Sequence, residues 1–205
     1  MASAQSDSLL AGQATKELRL EASALVIEDF SSYKAFQALH SVSHQELLFR
    51  SVLDRSRSRI MALRTAKEWV AVIGYTLDPE PEIEGFYTEK VFRGYKPAFG
   101  ASLLGFFLAY YARFTFELFE ARLRKDFFVF DDTFYQKLGG VLVAPSTYSF
   151  NSASFAAAQQ KQHRVCLDLS KAVLVTHREA TSSAGLHSAT HSAAVVTRSF
   201  KKLAL

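Results

Sequence analysis

The chain has 205 residues, 49% of them hydrophobic and 21% charged, with a formal net charge of +4. That length fits one domain, or one domain with tails, and that composition excludes a chain disordered as a whole. The single cysteine, Cys166, excludes an intramolecular disulfide and a thiol-only metal site.

Residues 1–75 read as an N-terminal helical region. The first twelve are a loose polar start, without the basic opening and continuous apolar run of a secretory signal. From Gln13 to Phe30 the apolar positions Leu18, Ala22, Leu25, Val26 and Phe30 recur at helical spacing, so a helix is expected there. Ser43-His44-Gln45-Glu46 has the form of a capping box, and a long helix is expected after it, running through Trp69–Ile73 to Gly74. Basic residues crowd this stretch: Arg50, Arg55, Arg57, Arg59, Arg64 and Lys67 stand against Asp54 alone. Nucleic acid is not the expected partner, because Arg55, Arg57 and Arg59 would fan around a helix instead of forming a stripe.

Residues 76–96 read as an acidic connector followed by an amphipathic approach. Pro79 and Pro81 forbid a helix, and Asp78, Glu80, Glu82, Glu84 and Glu89 carry no base among them up to position 89. Pro97–Ala112 is then uncharged (PAFGASLLGFFLAYYA), and a helical pattern continues to Phe119. At ~1.5 Å per residue, a helix over 97–119 spans about 34 Å, enough to cross a bilayer core of roughly 30 Å. The expected fold is therefore mainly α: a single transmembrane helix over 97–119, extramembrane helices before it, and a C-terminal region over 120–205 that is partly extended. Within the span, Ala101, Gly105 and Ala109 form a small-residue stripe for helix packing. Arg113 and Glu117 are placed to form an ion pair at one end. Arg93 and Lys96 on one flank, and Arg122, Arg124 and Lys125 on the other, suit lipid headgroups, anionic lipid such as cardiolipin included. The competing reading of the same residues is a buried helix whose small residues mark close packing.

After the span, 137–145 reads as a turn and a short apolar strand. A helix is expected around 152–163 and an extended run at 172–176, and the basic tail beyond is expected to lie on a partner or to be partly disordered. No catalytic, metal or cofactor constellation stands out. His40/His44 and His187/His191 have i, i+4 spacing but lack further ligands, Asp131/Asp132 reads as a cap or turn, and Cys166 as a packed side chain.

Arg93-Gly94-Tyr95, one aromatic-rich span and Ala121-Arg-Leu-Arg-Lys125 together resemble the layout of subunit f of the mitochondrial F-type ATP synthase. The resemblance covers residues 90–126. It implies a non-catalytic structural subunit of a mitochondrial inner-membrane complex, with other subunits of that complex as partners and no cofactor. An accessory subunit of a respiratory electron-transport complex and an RNA- or ribosome-associated basic protein are the alternatives.

Overall fold

Residues 25–39, 57–95, 98–119, 132–163 and 166–178 are described by the computed structural model. In chain order the elements are β1 (Val26–Phe30), α1 (Tyr33–Leu39), β2 (Arg59–Arg64), β3 (Trp69–Thr76), β4 (Glu82–Thr88), α2 (Phe99–Tyr110), β5 (Phe116–Phe119), α3 (Asp132–Lys137), β6 (Val141–Ala144), β7 (Thr147–Phe150), α4 (Ser152–Lys161) and β8 (Val173–His177). The strands make one eight-stranded mixed sheet in the order β6-β7-β5-β4-β3-β2-β1-β8. The protein is thus sheet-rich α/β, which corrects the expectation of a mainly α fold.

The correction has a physical reason at each strand. Ile60–Leu63 and Val70–Thr76 are buried without interruption, because β2 and β3 are central strands covered on both faces. Alternate residues feed two cores: Ile27, Met61 and Ile73 lie in one, and Phe30, Ile60 and Val72 lie in the other beneath Phe36 of α1. A strand covered on both faces shows a continuous apolar run, which periodicity cannot separate from a buried helix. In β1 the polar residues Glu28 and Asp29 are both buried and ion-paired, Glu28 with Arg64 at 3.1 Å and Asp29 with Arg59 at 3.4 Å. The supposed connector supplies β4, which pairs antiparallel with β3 from Thr88 down to Glu82.

The transmembrane helix is also corrected. Helix α2 has 12 residues, about 18 Å at ~1.5 Å each, and closes at Tyr111, whose N–H still donates to the Phe107 carbonyl. Residues 111–115 turn, and β5 follows with Phe116 and Leu118 buried and Glu117 and Phe119 exposed, the period of two that a strand requires. No helix among the described residues is long and apolar enough to cross a membrane. The apolar character of α2 comes from burial on several sides. Leu103, Leu104, Phe107 and Leu108 are almost wholly buried, and α4 packs on the flank that carries Gly105. Three expectations near the C-terminus agree with the structure: the turn and strand at 138–144, the helix at 152–161 and the extended run at 173–177.

Candidate functional site at the seam between β4 and β5

β4 and β5 are one of two parallel pairs in the sheet, the other being β1 and β8, and α2 lies between them in the chain. Among the described residues their register covers Glu82↔Glu117 and Ile83↔Leu118. β4 runs five residues further, to Thr88, along β3. Next to Ile83, β4 bulges against β3: Tyr75 stands opposite Ile83 and Gly74 opposite Gly85, which leaves Glu84 as the extra residue. Bulges re-aim side chains, and they concentrate beside active sites. Glu84 is 1% exposed, so a carboxyl group is held inside the protein at the bulge.

At the far end of β4 the chain turns through Arg93 and Gly94 into α2. Gly94 has φ +79, with open space where a side chain would project. Gly100, in the first turn of α2, sits so close to Thr88 that a Cβ there would collide with the Thr88 hydroxyl, so the helix N-terminus is pressed against the end of β4. That first turn holds no acidic residue, and Ala98 offers no side-chain cap. The positive end of α2 therefore lies beside the end of β4. Arg93 is anchored beside it: its Nε donates to the Thr88 carbonyl at 2.8 Å and its guanidinium lies 5.0 Å from the Tyr87 ring centre.

Helix α3 reaches over the seam. Phe134 stacks on Phe86 of β4 at 6.1 Å, and the fully buried Tyr135 lies 4.8 Å from the ring of Tyr148 on β7. The Tyr148 hydroxyl donates to Asp132, the first residue of α3, which agrees with Asp132 serving at a helix start. Cys166 is a half-buried, packed thiol that donates to Gln159 at 3.3 Å.

On the other side of the bulge is a polar cluster built from four elements. The Tyr75 hydroxyl donates to Asp29 at 2.6 Å and lies 2.7 Å from the Tyr111 hydroxyl, which itself reaches Asp29 at 3.3 Å. Arg59 donates to Tyr75 at 3.2 Å and to Asp29 at 3.4 Å. Burial pushes the Asp29 carboxyl above its ordinary range, and the Tyr75 hydroxyl and Arg59 charge offset only part of that. Burial, then the Asp29 charge, pushes Tyr75 well above the usual phenol range and raises Tyr111 as well.

The residues singled out in the sequence separate in space. Ala101 is buried, Gly105 faces Phe155 of α4, and Ala109 is exposed, so the small-residue stripe is in part a helix-packing surface, against α4. Arg113 lies in the turn after α2 with its guanidinium over the Phe114 ring at 4.7 Å, and Glu117 is exposed on β5. The helical relation expected to pair Arg113 with Glu117 therefore does not exist, because the helix ends before either residue. Arg93 is exposed at the α2 entry, whereas Lys96, Arg122, Arg124, Lys125, His40, His44, His187, His191 and Asp131 lie outside the described residues. Asp29, Tyr75, Glu84 and Tyr111 had no marker as a site in the sequence. The available signal was local: Glu82-Ile-Glu84-Gly-Phe-Tyr-Thr alternates like a strand, and Arg93-Gly94 and Gly100 punctuate its passage into an uncharged helix. No family model, curated protein or solved structure matches the chain.

Proposed function

We propose that the chain is an acyltransferase that takes an acyl group from an acyl-coenzyme A and passes it to an amine. The observation that carries this reading is the buried carboxyl group of Glu84 at the β4 bulge, with the N-terminus of α2 pressed against Thr88 four residues further along the same strand. An acyl-coenzyme A has matching parts in matching order. Its thioester would lie at the bulge and its amide-bearing arm along β4. Its pyrophosphate would rest on the α2 N-terminus beside Arg93. From Glu84 to Thr88 the strand advances about 13 Å at ~3.3 Å per residue, a span of the order that such an arm bridges.

In this reading the Glu84 carboxylate accepts a proton from the acceptor amine. The amine nitrogen attacks the thioester carbonyl, the carbon–sulfur bond breaks, an amide forms, and coenzyme A leaves as its thiolate. Tyr135, on the helix that crosses the seam, is the candidate to return a proton to that sulfur. Glu82 and Glu117, side by side across the seam, supply the negative potential that draws a cationic acceptor. The expectation of a structural subunit of a membrane complex rested on a span over 97–119, and residues 98–119 fold instead as a helix, a turn and a strand.

The test is release of free thiol from acetyl-coenzyme A, with spermidine, lysine and tyramine offered as acceptors. Acceptor-dependent release that falls about 100-fold or more in Glu84→Gln, with acetyl-coenzyme A binding retained, supports the proposal. Absence of acetyl-coenzyme A binding by calorimetry at about 1 mM would remove it.

A further inference from the structure

The Asp29 cluster joins the two parts of the seam that have to be held in register. Tyr75 is opposite Ile83, directly beside the bulge at Glu84. Tyr111 is the C-terminal cap of α2, the helix whose other end is pressed against Thr88. Both hydroxyls meet on the carboxylate of Asp29, which is 4% exposed, and Arg59 closes the group from β2. An apolar core could fill this space at less cost in desolvation, but it would impose no directional restraint. Four side chains from β1, β2, β3 and α2, tied by five polar contacts, fix distances that packing alone leaves adjustable.

We propose that Asp29, Tyr75 and Tyr111, with Arg59, are positioning residues for the seam: through Tyr75 they fix the bulge that presents Glu84, and through Tyr111 they fix α2 against the same strand. The purpose assigned to them rests on the reading of the seam as an acyl-donor site; their coupling to Glu84 does not. The residue facing Ile83 beside the bulge is Tyr75 on β3, which is tied to Asp29 on β1, Arg59 on β2 and Tyr111 at the end of α2; Glu82 on β4 itself stands opposite Glu117 on β5, and Tyr135 lies on α3.

The protein contains its own comparison. Tyr148 is also fully buried and also donates to a carboxylate, but from β7 and to the exposed Asp132 at the start of α3. The experiment follows the side-chain carboxyl carbon of Glu84 by NMR through a pH titration of the free, full-length protein, with the signal assigned by Glu84→Gln. Tyr75→Phe is expected to move the Glu84 midpoint by about half a pH unit or more, and Tyr148→Phe by less than about 0.2. An unmoved midpoint in Tyr75→Phe overturns the coupling, and so does an equal movement in both variants, which would mean general loosening. Tyr111→Phe removes a hydroxyl from the less buried edge of the cluster. It is judged by the same criteria if Tyr75→Phe does not fold. Failure of the wild type to bind acetyl-coenzyme A would remove the donor-site reading and leave this result standing on its own.

Discussion

Tyr75 faces Ile83 across the β3–β4 ladder, and on its hydroxyl side it is bound to Asp29 at 2.6 Å. The residue after Ile83 is the bulge carboxylate Glu84. A single aromatic side chain therefore ties the Asp29 cluster to the bulge in β4, and several expectations depend on that tie.

Stability should respond to Asp29 in a particular direction. Its folded carboxyl titrates above 3.8, the value for the unfolded chain, because burial disfavours the charged form. Between the two values the native state holds more protons than the unfolded state, so this group's contribution to stability falls as pH rises through that window. Subtracting the unfolding free energy of Asp29→Asn from that of the wild type should leave a difference that declines as pH is raised from just below 4. A flat or rising difference contradicts the assignment.

Gly105 should be intolerant of bulk for a reason internal to the fold. A Cβ there would lie 2.8 Å from the ring of Phe155 on α4. Gly105→Leu is expected to cost about 1–3 kcal/mol by overpacking, measured by denaturant unfolding. Adding Phe155→Ala should produce a coupling energy that recovers part of that loss. Strict additivity of the two substitutions would show that α2 and α4 do not pack as described.

Gly94 adopts φ +79 at the entry to α2, where a side chain meets no obstacle. Gly94→Val should then cost on the order of 1–2 kcal/mol from backbone conformation alone, and Gly94→Asn distinctly less, since asparagine tolerates the left-handed region. Equal thermal shifts for the two would point to a different backbone at this turn.

Tyr148→Phe removes the hydroxyl that a fully buried ring donates to the exposed carboxylate of Asp132. A loss of about 0.5–1.5 kcal/mol is expected. Tyr110, half-buried at the end of α2, is the comparison: Tyr110→Phe keeps its stacking on Phe106 and should change stability less. A reversed order would contradict the burial assigned to the two rings.

Some of the fold was legible in the sequence where one rule acted alone. Ser152–Lys161 starts at Asn151, whose side chain accepts from the Ser154 N–H in a capping box, and it was expected as a helix. Lys137–Pro145 carried its turn in Gly139, which has φ +90. Elsewhere two rules competed. Val70, Val72 and Ile73 have strand propensity, but their unbroken burial in β3 hid the alternation that would have declared it. The uncharged run from Pro97 to Ala112 satisfied the arithmetic of a membrane span, because a helix buried between a sheet and another helix is as apolar as one in lipid. The site was still less visible. Asp29, Tyr75 and Tyr111 are separated by 46 and 36 positions along the chain, and they meet only through the pairing of β1, β2 and β3 and the packing of α2 on β3. Glu84 stood among Asp78, Glu80, Glu82 and Glu89 as one acid of five, until the shift in register between β3 and β4 distinguished it.

The most direct test of the central claim is amide hydrogen exchange of the intact protein with and without saturating acetyl-coenzyme A. If the donor lies along β4, protection should rise at residues 84–88 and 93–102, the strand beyond the seam and the entry into α2, and should change little on β1 and β8. Binding that protects other segments and leaves 84–88 unchanged would contradict the account.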